Sequence, residues 1–460
     1  MYRLFHLVLT AAIFMGLPDG VRAQASAERG TGLPLPEKYF PVLAQLIDTA
    51  GKQSSRMIAR NAEDAIAEAG RMLARSGQLP SIGGSAQYNP YQLDIRGDVP
   101  DPVVSQRLTY GVSLTQPIFH WGALRNNTRI GELQLKITQG QTAEVYRLLE
   151  QEIRGQFLQL IIRKTALARA RLSRDLADAQ VKFAEERLAA HSIAQGDLFG
   201  IRMNQTQLVL NLDRAQEDYD AAKRLLAKLT GTSPLTDNQI PDAVPVVAPD
   251  IPVLEALLSN YAGARLETSN NLKVIGDQIR IEELTYKNAS TRLRPKFNFL
   301  TGLSQDLQSY TTNIGQKYSV RSYYVGAQVS WSLFDGHATR ALKISSLARR
   351  RQLEQSYKTM TDDLVDQARS QLKQMTFSAR SMAISDQYLA MGEDNVKGQQ
   401  VEMARGAASQ ADVNSAELNL FDLRLNAYGA RIDYLMRSAE YLSLVGDTEP
   451  AATFSTPHRS

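Results

Sequence analysis

Tyr110-Gly111-Val112-Ser113-Leu114-Thr115-Gln116-Pro117-Ile118-Phe119 comes back further along the chain as Val325-Gly326-Ala327-Gln328-Val329-Ser330-Trp331-Ser332-Leu333-Phe334. In the first stretch Tyr110, Val112, Leu114 and Ile118 alternate with Gly111, Ser113 and Thr115. In the second, Val325, Ala327, Val329, Trp331 and Leu333 alternate with Gly326, Gln328, Ser330 and Ser332. Successive strand residues point to opposite faces, so each stretch reads as a strand with one apolar and one small or polar face. Each also follows a shorter alternating run. The expected strand pairs are about 82–95 with 106–119 and about 295–305 with 321–334, four strands in all.

The offset between the copies is 215 (Pro80 to Pro295, 295 − 80). It also relates Arg125 to Arg340, Asp197 to Asp412, Asn204 to Asn419, Leu208 to Leu423, Tyr219 to Tyr434 and Gly231 to Gly446. One offset held over that span is the mark of a tandem duplication, and each copy is then one structural unit. The first copy is expected over 26–231 and the second over 253–446. Between them Thr232–Pro252 holds Pro234, Pro241, Pro245, Pro249 and Pro252, a linker signature. Each copy opens with an amphipathic helix (roughly 40–77, then 252–291) that Pro80 or Pro295 ends. Each closes with a long helical hairpin, about 122–231 and about 337–446. A polar tail, 447–460, is expected to be disordered.

The helical period is legible inside the hairpins. Val145, Leu149, Ile153, Phe157 and Leu160 fall at steps of four and three, and their mates Met360, Leu364, Ala368, Leu372 and Met375 are all apolar. A helix from near Gly122 to near Ala190 is about 100 Å long at 1.5 Å per residue. No single globular core is that deep, so such a helix must lie in a bundle or coiled coil.

The bulk numbers narrow the rest. The chain has 460 residues, 43% hydrophobic and 22% charged, with a formal net charge of +4. That balance is a weak sign of a nucleic-acid partner, and none is expected. With no cysteine there is no disulfide framework, no Cys-ligated zinc, no thiol nucleophile and no lipid anchor on Cys. Residues 1–25 read as a secretory signal, with Arg3, an apolar run from Leu7 to Leu17, and Ala23-Gln24-Ala25 as a cleavage site. No later run of about 18 apolar residues follows, so any membrane crossing is left to β-strands. Four strands cannot close a barrel, and an open sheet edge is not tolerated in hydrocarbon; closure therefore has to occur between chains, two giving eight strands and three giving twelve.

These features resemble the TolC outer-membrane efflux protein family. The resemblance rests on Ser113-Leu114-Thr115-Gln116-Pro117-Ile118-Phe119 running into Gly122 and Arg125, and on Trp331-Ser332-Leu333-Phe334-Asp335-Gly336 running into Arg340. The hairpin tips Gln195-Gly196-Asp197-Leu198 and Gly406-Ala407-Ala408-Ser409-Gln410-Ala411-Asp412-Val413 are similar too. The resemblance implies a mainly α fold with a membrane β-barrel: a homotrimer whose four strands per chain make a 12-stranded barrel in the outer membrane of a Gram-negative bacterium. A helical tunnel of long hairpins would reach through the periplasm. It implies a passive exit duct of a tripartite efflux or type I secretion system, with a periplasmic adaptor and, indirectly, an inner-membrane transporter as partners. Outer-membrane lipid would surround the barrel, and drugs, toxic small molecules or polypeptides would pass.

Carried over residue by residue, Asp412 matches the acidic ring at the closed periplasmic tip, and Asp197 the equivalent position of the first copy; three-fold rings of carboxylate repel anions and attract cations. Ser192, Ile193, Ala194 and Gly406, Ala407, Ala408, Ser409 fall on the adaptor-docking tips. This chain departs from the family pattern at Ala408, where an Arg is expected, at Ser415, where a second acid is expected, and at His191, which stands where the second copy has Gly406.

Blander roles compete for the same residues. Asp412 and Asp197 each precede an apolar helical run and suit a helix cap, a role compatible with a gate. Pro117, Phe119, Gly122, Phe334 and Gly336 are expected at strand–helix junctions, as structural residues. His6, His120, His191, His337 and His458 show no ligand spacing, and no metal, cofactor or catalytic constellation is expected. The alternative to a duct is a periplasmic coiled-coil scaffold or adaptor without a pore, for which the strand pairs have no use.

Overall fold

A computed structural model describes residues 35–94, 103–310 and 317–446 of the chain. The expected signal segment 1–25 and tail 447–460 lie outside the described residues. The first copy runs α1 (Pro36–Tyr39), α2 (Pro41–Gln53), α3 (Ser55–Ser76), β1 (Ser81–Asp94), β2 (Val103–Phe119), α4 (Ala123–Ala189) and α5 (Gln195–Thr230). The second runs α6 (Ile251–Asn260), α7 (Asn270–Thr291), β3 (Lys296–Tyr310), β4 (Lys317–Ser330), α8 (Ala338–Ala404) and α9 (Gln410–Val445). α4 and α8 have 67 residues each, and α5 and α9 have 36 each; the longer pair therefore extends about 100 Å.

The helix that opens each copy is not continuous. In the first, Ser54 leaves helical geometry and its Oγ accepts from the Met57 amide at 3.2 Å, so it caps a fresh helix, α3. In the second, a π turn at Tyr261–Arg265 and a 3-10 turn at Leu266–Thr268 separate α6 from α7. The single helices expected over 40–77 and 252–291 are interrupted at these points.

All four strands form one antiparallel sheet in the order β1-β2-β3-β4. Its rungs carry the alternation through: Ile82, Leu114, Thr301 and Val325 share one rung, and Gly83, Ser113, Gly302 and Tyr324 the next. The apolar face thus collects Ile82, Val112, Leu114, Leu303, Tyr323 and Val325. The other face collects Ser85, Thr109, Gly111, Ser113, Ser304 and Ser322. A bulge between Pro117 and Phe119 resets the alternation, so Phe119, rather than Ile118, joins the apolar face opposite Phe297. β4 stops at Ser330, four residues short of the expected Phe334. Its partner strand begins opposite it at Lys296, and Pro295 before that has no N–H to extend the ladder.

Apolar packing concentrates in a girdle around the middle of the hairpins. Leu149, Ile153, Phe157 and Ile161 of α4 meet Phe40, Leu43 and Leu46 of the N-terminal segment, Tyr219 and Leu226 of α5, and Tyr434 and Leu442 of α9. The Pro-rich segment between the copies is part of it, as Ile240, Val244 and Val247 are buried there. Lys164 Nζ donates to the Ile240 carbonyl at 2.6 Å, Arg431 Nη1 to that of Val244 at 2.6 Å, and Tyr441 Oη to that of Leu254 at 2.7 Å. Proline removes donors, so the carbonyls of Ile240 and Val244, each just before a proline, look for side-chain partners, and the segment lies down as a strap.

No helix among the described residues is long and apolar enough to cross a membrane.

Candidate functional site

The tips hold the candidate gate. In the first, α4 ends at Ala189, His191 turns left-handed (φ 53°), and α5 starts at Gln195. Asp197 is the third residue of α5, and its Oδ2 accepts from the Ala194 amide at 3.1 Å. In the second, α8 ends at Ala404, Gly406 turns left-handed (φ 77°), and α9 starts at Gln410. Asp412 Oδ2 accepts from the Ser409 amide at 2.8 Å and from its Oγ at 2.6 Å, while Ser409 Oγ accepts from the Asp412 amide at 3.3 Å. That is a reciprocal capping box. Ala194 has no hydroxyl to reciprocate, so the first tip has half of one. The Ser409 hydroxyl, then its backbone N–H, hold the Asp412 carboxyl below the usual carboxylate range.

Each aspartate bonds within its own tip. Ser192, Ile193 and Ala194 form the first loop, where the Ser192 amide closes on the Arg187 carbonyl at 2.8 Å. Gly406, Ala407, Ala408 and Ser409 form the second, where the amides of Ala407 and Ala408 reach the Glu402 carbonyl at 2.9 and 3.3 Å. Sequence reasoning missed a difference between the tips: Phe183, Phe199 and Met203 are exposed near the first, and Gly398, Asn414 and Leu418 stand at the matching positions of the second. The offset, applied residue by residue, contains that signal.

At the other end of the hairpins, β2 runs through Pro117 and ends at Phe119, and Trp121 (φ 55°) and Gly122 (φ 83°) make the left-handed step into α4. Gly336 (φ 62°) and His337 (φ 68°) make the same step into α8. Only glycine adopts this region without a Cβ penalty. Phe119 sits edge-on to Trp121, with centroids 4.8 Å apart, and Phe334 edge-on to His337 at 5.5 Å.

A buried ionic cluster also escaped the sequence reading. Arg154 of α4 reaches Glu37 Oε1 of α1 at 2.5 Å and Glu150 Oε2 at 3.3 Å, and Tyr146 hydrogen-bonds Glu150. Burial pushes the Glu150 carboxyl up, against the pull of Arg154. Two clefts, of about 430 and 460 Å³, open along the seam of α4 and α7, lined by alternating charges such as Arg129, Glu132, Lys136 and Asp277. Among the described residues no three His, Asp or Glu side chains converge as a metal site would need.

The sheet, the paired giant hairpins and the tip loops together are the geometry of a duct wall. A family model described as outer membrane efflux protein matches residues 46–232 and 264–447, both copies of the repeat. Among curated proteins, none matches the chain in sequence. Solved structures share the fold. The CmeC outer membrane channel of Campylobacter jejuni matches at a TM-score of 0.69 and 13% identity, over 96% of this chain and 94% of that one. The outer membrane protein VceC of Vibrio cholerae matches at 0.64 and 14%, over 89% of this chain and 97% of that one. The open state of the MtrE outer membrane channel of Neisseria gonorrhoeae matches at 0.63 and 12%, over 88% and 89%. Matched by the family model over more than half its length, the chain belongs to the outer membrane efflux protein family.

Proposed function

We propose that this efflux duct works as a homotrimer, the exit component of a tripartite efflux or type I secretion assembly. One observation carries the reading: a four-stranded sheet, apolar on one face and polar on the other, has two open edges and continues into 100 Å hairpins. β1 and β4 each leave one edge of unpaired backbone, which hydrocarbon does not tolerate. Three copies give twelve strands and a lumen wide enough for solute, with the apolar face turned to outer-membrane lipid. The helical hairpins then stand in the periplasm. Their tips, at Ser192–Ala194 and Gly406–Ser409, meet a periplasmic adaptor, which links the duct to an inner-membrane transporter.

Asp412 and Asp197 form carboxylate rings at the closed end. The capping bonds leave Asp412 ionised at neutral pH, which a cation-attracting constriction requires. Single-channel recording of the purified assembly tests the whole reading. The expected result is a stable trimer with small conductance that trivalent cations block, and with Asp412→Ala a larger conductance and weaker block. A monomer without conductance refutes the duct, and unchanged conductance and block in Asp412→Ala removes the gate.

A further inference from the structure

Both tryptophans of the chain converge on one turn. Trp121 Nε1 donates to the Pro295 carbonyl at 2.7 Å, and Trp331 Nε1 donates to the Leu293 carbonyl at 2.9 Å. The residue between those carbonyls is Arg294, whose guanidinium carbon lies 4.8 Å from the Trp121 ring centroid. The two indoles come from opposite sides, one from the β2–α4 junction and one from the end of β4, and fix the backbone of Arg294 between them.

The side of the sheet on which this occurs is set by register. Phe119 faces Phe297 on the apolar face and touches Trp121. Trp331 directly follows β4, next to Ser330 and two residues past the apolar-facing Val329, and is exposed. Arg294 therefore lies where the apolar face ends and the helices begin. Its charge is unmatched: Arg292 is engaged with Asp335 at 3.6 Å, and Lys296, opposite Ser330, points to the polar face. Among the described residues Arg294 has the indole as its partner and no carboxylate.

We propose that Arg294, stacked on Trp121, binds the phosphate of a glycerophospholipid at the periplasmic boundary of the membrane. A guanidinium is planar, weakly hydrated and able to stack on a ring while its N–H groups grip phosphate oxygens. Indoles favour the same interfacial depth, with the ring in the apolar zone and the N–H satisfied. The clamp on Leu293 and Pro295 holds the cation in place before lipid arrives, which lowers the ordering cost of binding.

This rests on the sheet lying in a membrane, and intrinsic fluorescence tests the two ideas separately, because both tryptophans report from the site. In bilayers, lipids brominated near the headgroup quench the emission of the assembled protein; absence of quenching overturns the membrane placement and the inference with it. In maltoside micelles, dioctanoyl phosphatidylglycerol shifts the emission saturably. Arg294→Gln weakens that binding about tenfold, the loss of one charge-assisted pair, while Arg294→Lys retains part of it. Equal affinity in Arg294→Gln overturns the site and leaves the membrane placement standing. An equal response to inorganic phosphate overturns its assignment to lipid. Should Arg294→Gln fail to assemble, Trp121→Phe keeps a ring beneath the cation but frees Pro295, and an unchanged isotherm there overturns the inference as well.

Discussion

Arg154 and Arg369 occupy the same position in the two copies, and their surroundings could hardly differ more. The Arg154 side chain is 7% exposed and held by Glu37 and Glu150, whereas that of Arg369 is 63% exposed and reaches only Asp366, at 3.4 Å. The cause is outside the repeat. α1 and α2 lie across α4 in the girdle, and Val365 stands where the first copy has Glu150. Duplication copied a helix, but neighbours decide what each of its positions means.

The largest expected contrast follows from that pair. Arg154→Ala strands two partly buried carboxylates, 18% and 22% exposed, and lowers stability by about 3 kcal/mol, while Arg369→Ala stays within about 0.5 kcal/mol. Chemical denaturation midpoints of the two variants measure this, and equal midpoints would erase the asymmetry.

Next comes the sheet. A Cβ on Gly111 would lie 2.7 Å from the Leu303 carbonyl, whereas one on its mate Gly326 meets nothing within 4 Å. Gly111→Ala is expected to cost about 1–3 kcal/mol. Gly326→Ala is harmless in a single chain, but if β4 meets a neighbour's β1 as β2 meets β3, it acquires the same clash. Comparable loss of heat-resistant trimer on gels for both variants supports closure in that register; a neutral Gly326→Ala rules that register out.

A smaller effect separates the tips. His191 holds the left-handed backbone that Gly406 adopts freely, so Gly406→Ala costs about 1 kcal/mol and His191→Gly recovers about as much. Hydrogen exchange at the last turns of α4 and α8 reads both changes, and slower exchange in Gly406→Ala would contradict the account.

The smallest is a pH dependence. Because the folded state raises the Glu150 carboxyl above its usual 4.5, the folded girdle binds that proton more tightly than the unfolded chain. This contribution is full below 4.5 and is lost as pH rises through the folded value. Protection of 36–53 against proteolysis therefore increases as pH falls from neutrality toward 4.5, and Glu150→Gln flattens the slope. An increase undiminished in Glu150→Gln assigns the proton elsewhere.

Much of the architecture was readable from residues because two periods and one offset agree: alternation over Tyr110–Thr115, steps of three and four over Val145–Leu160, and the recurrence of both. What escaped depended on contacts that no period encodes. The bulge that swaps Ile118 for Phe119 follows Pro117, where β2 pairs with β3 alone, and β4 halts at Ser330 because Pro295 ends its ladder. The Pro-rich segment reads as a linker by composition, yet Lys164 and Arg431 lie far away in sequence and draw it into the girdle. At the junctions, glycine marks only half of each left-handed step. The copies place it differently, at Gly122 in one and Gly336 in the other, while Trp121 and His337 hold the partner position with a side chain. The tip aspartates illustrate the opposite limit. Their capping geometry follows from spacing alone, but a constriction is a property of several chains around an axis.

The girdle has a mechanical corollary. Below Leu167, the last α4 residue of that packed zone, about 22 residues of helix run on with little besides the neighbouring hairpins to brace them, a lever arm of about 33 Å. A change of only about 10° where that arm leaves its fulcrum swings the end of α4 through about 6 Å, about one helical turn. The position of the far end is thus governed by small angular adjustments at the waist, and a force applied at the tips works with that mechanical advantage reversed.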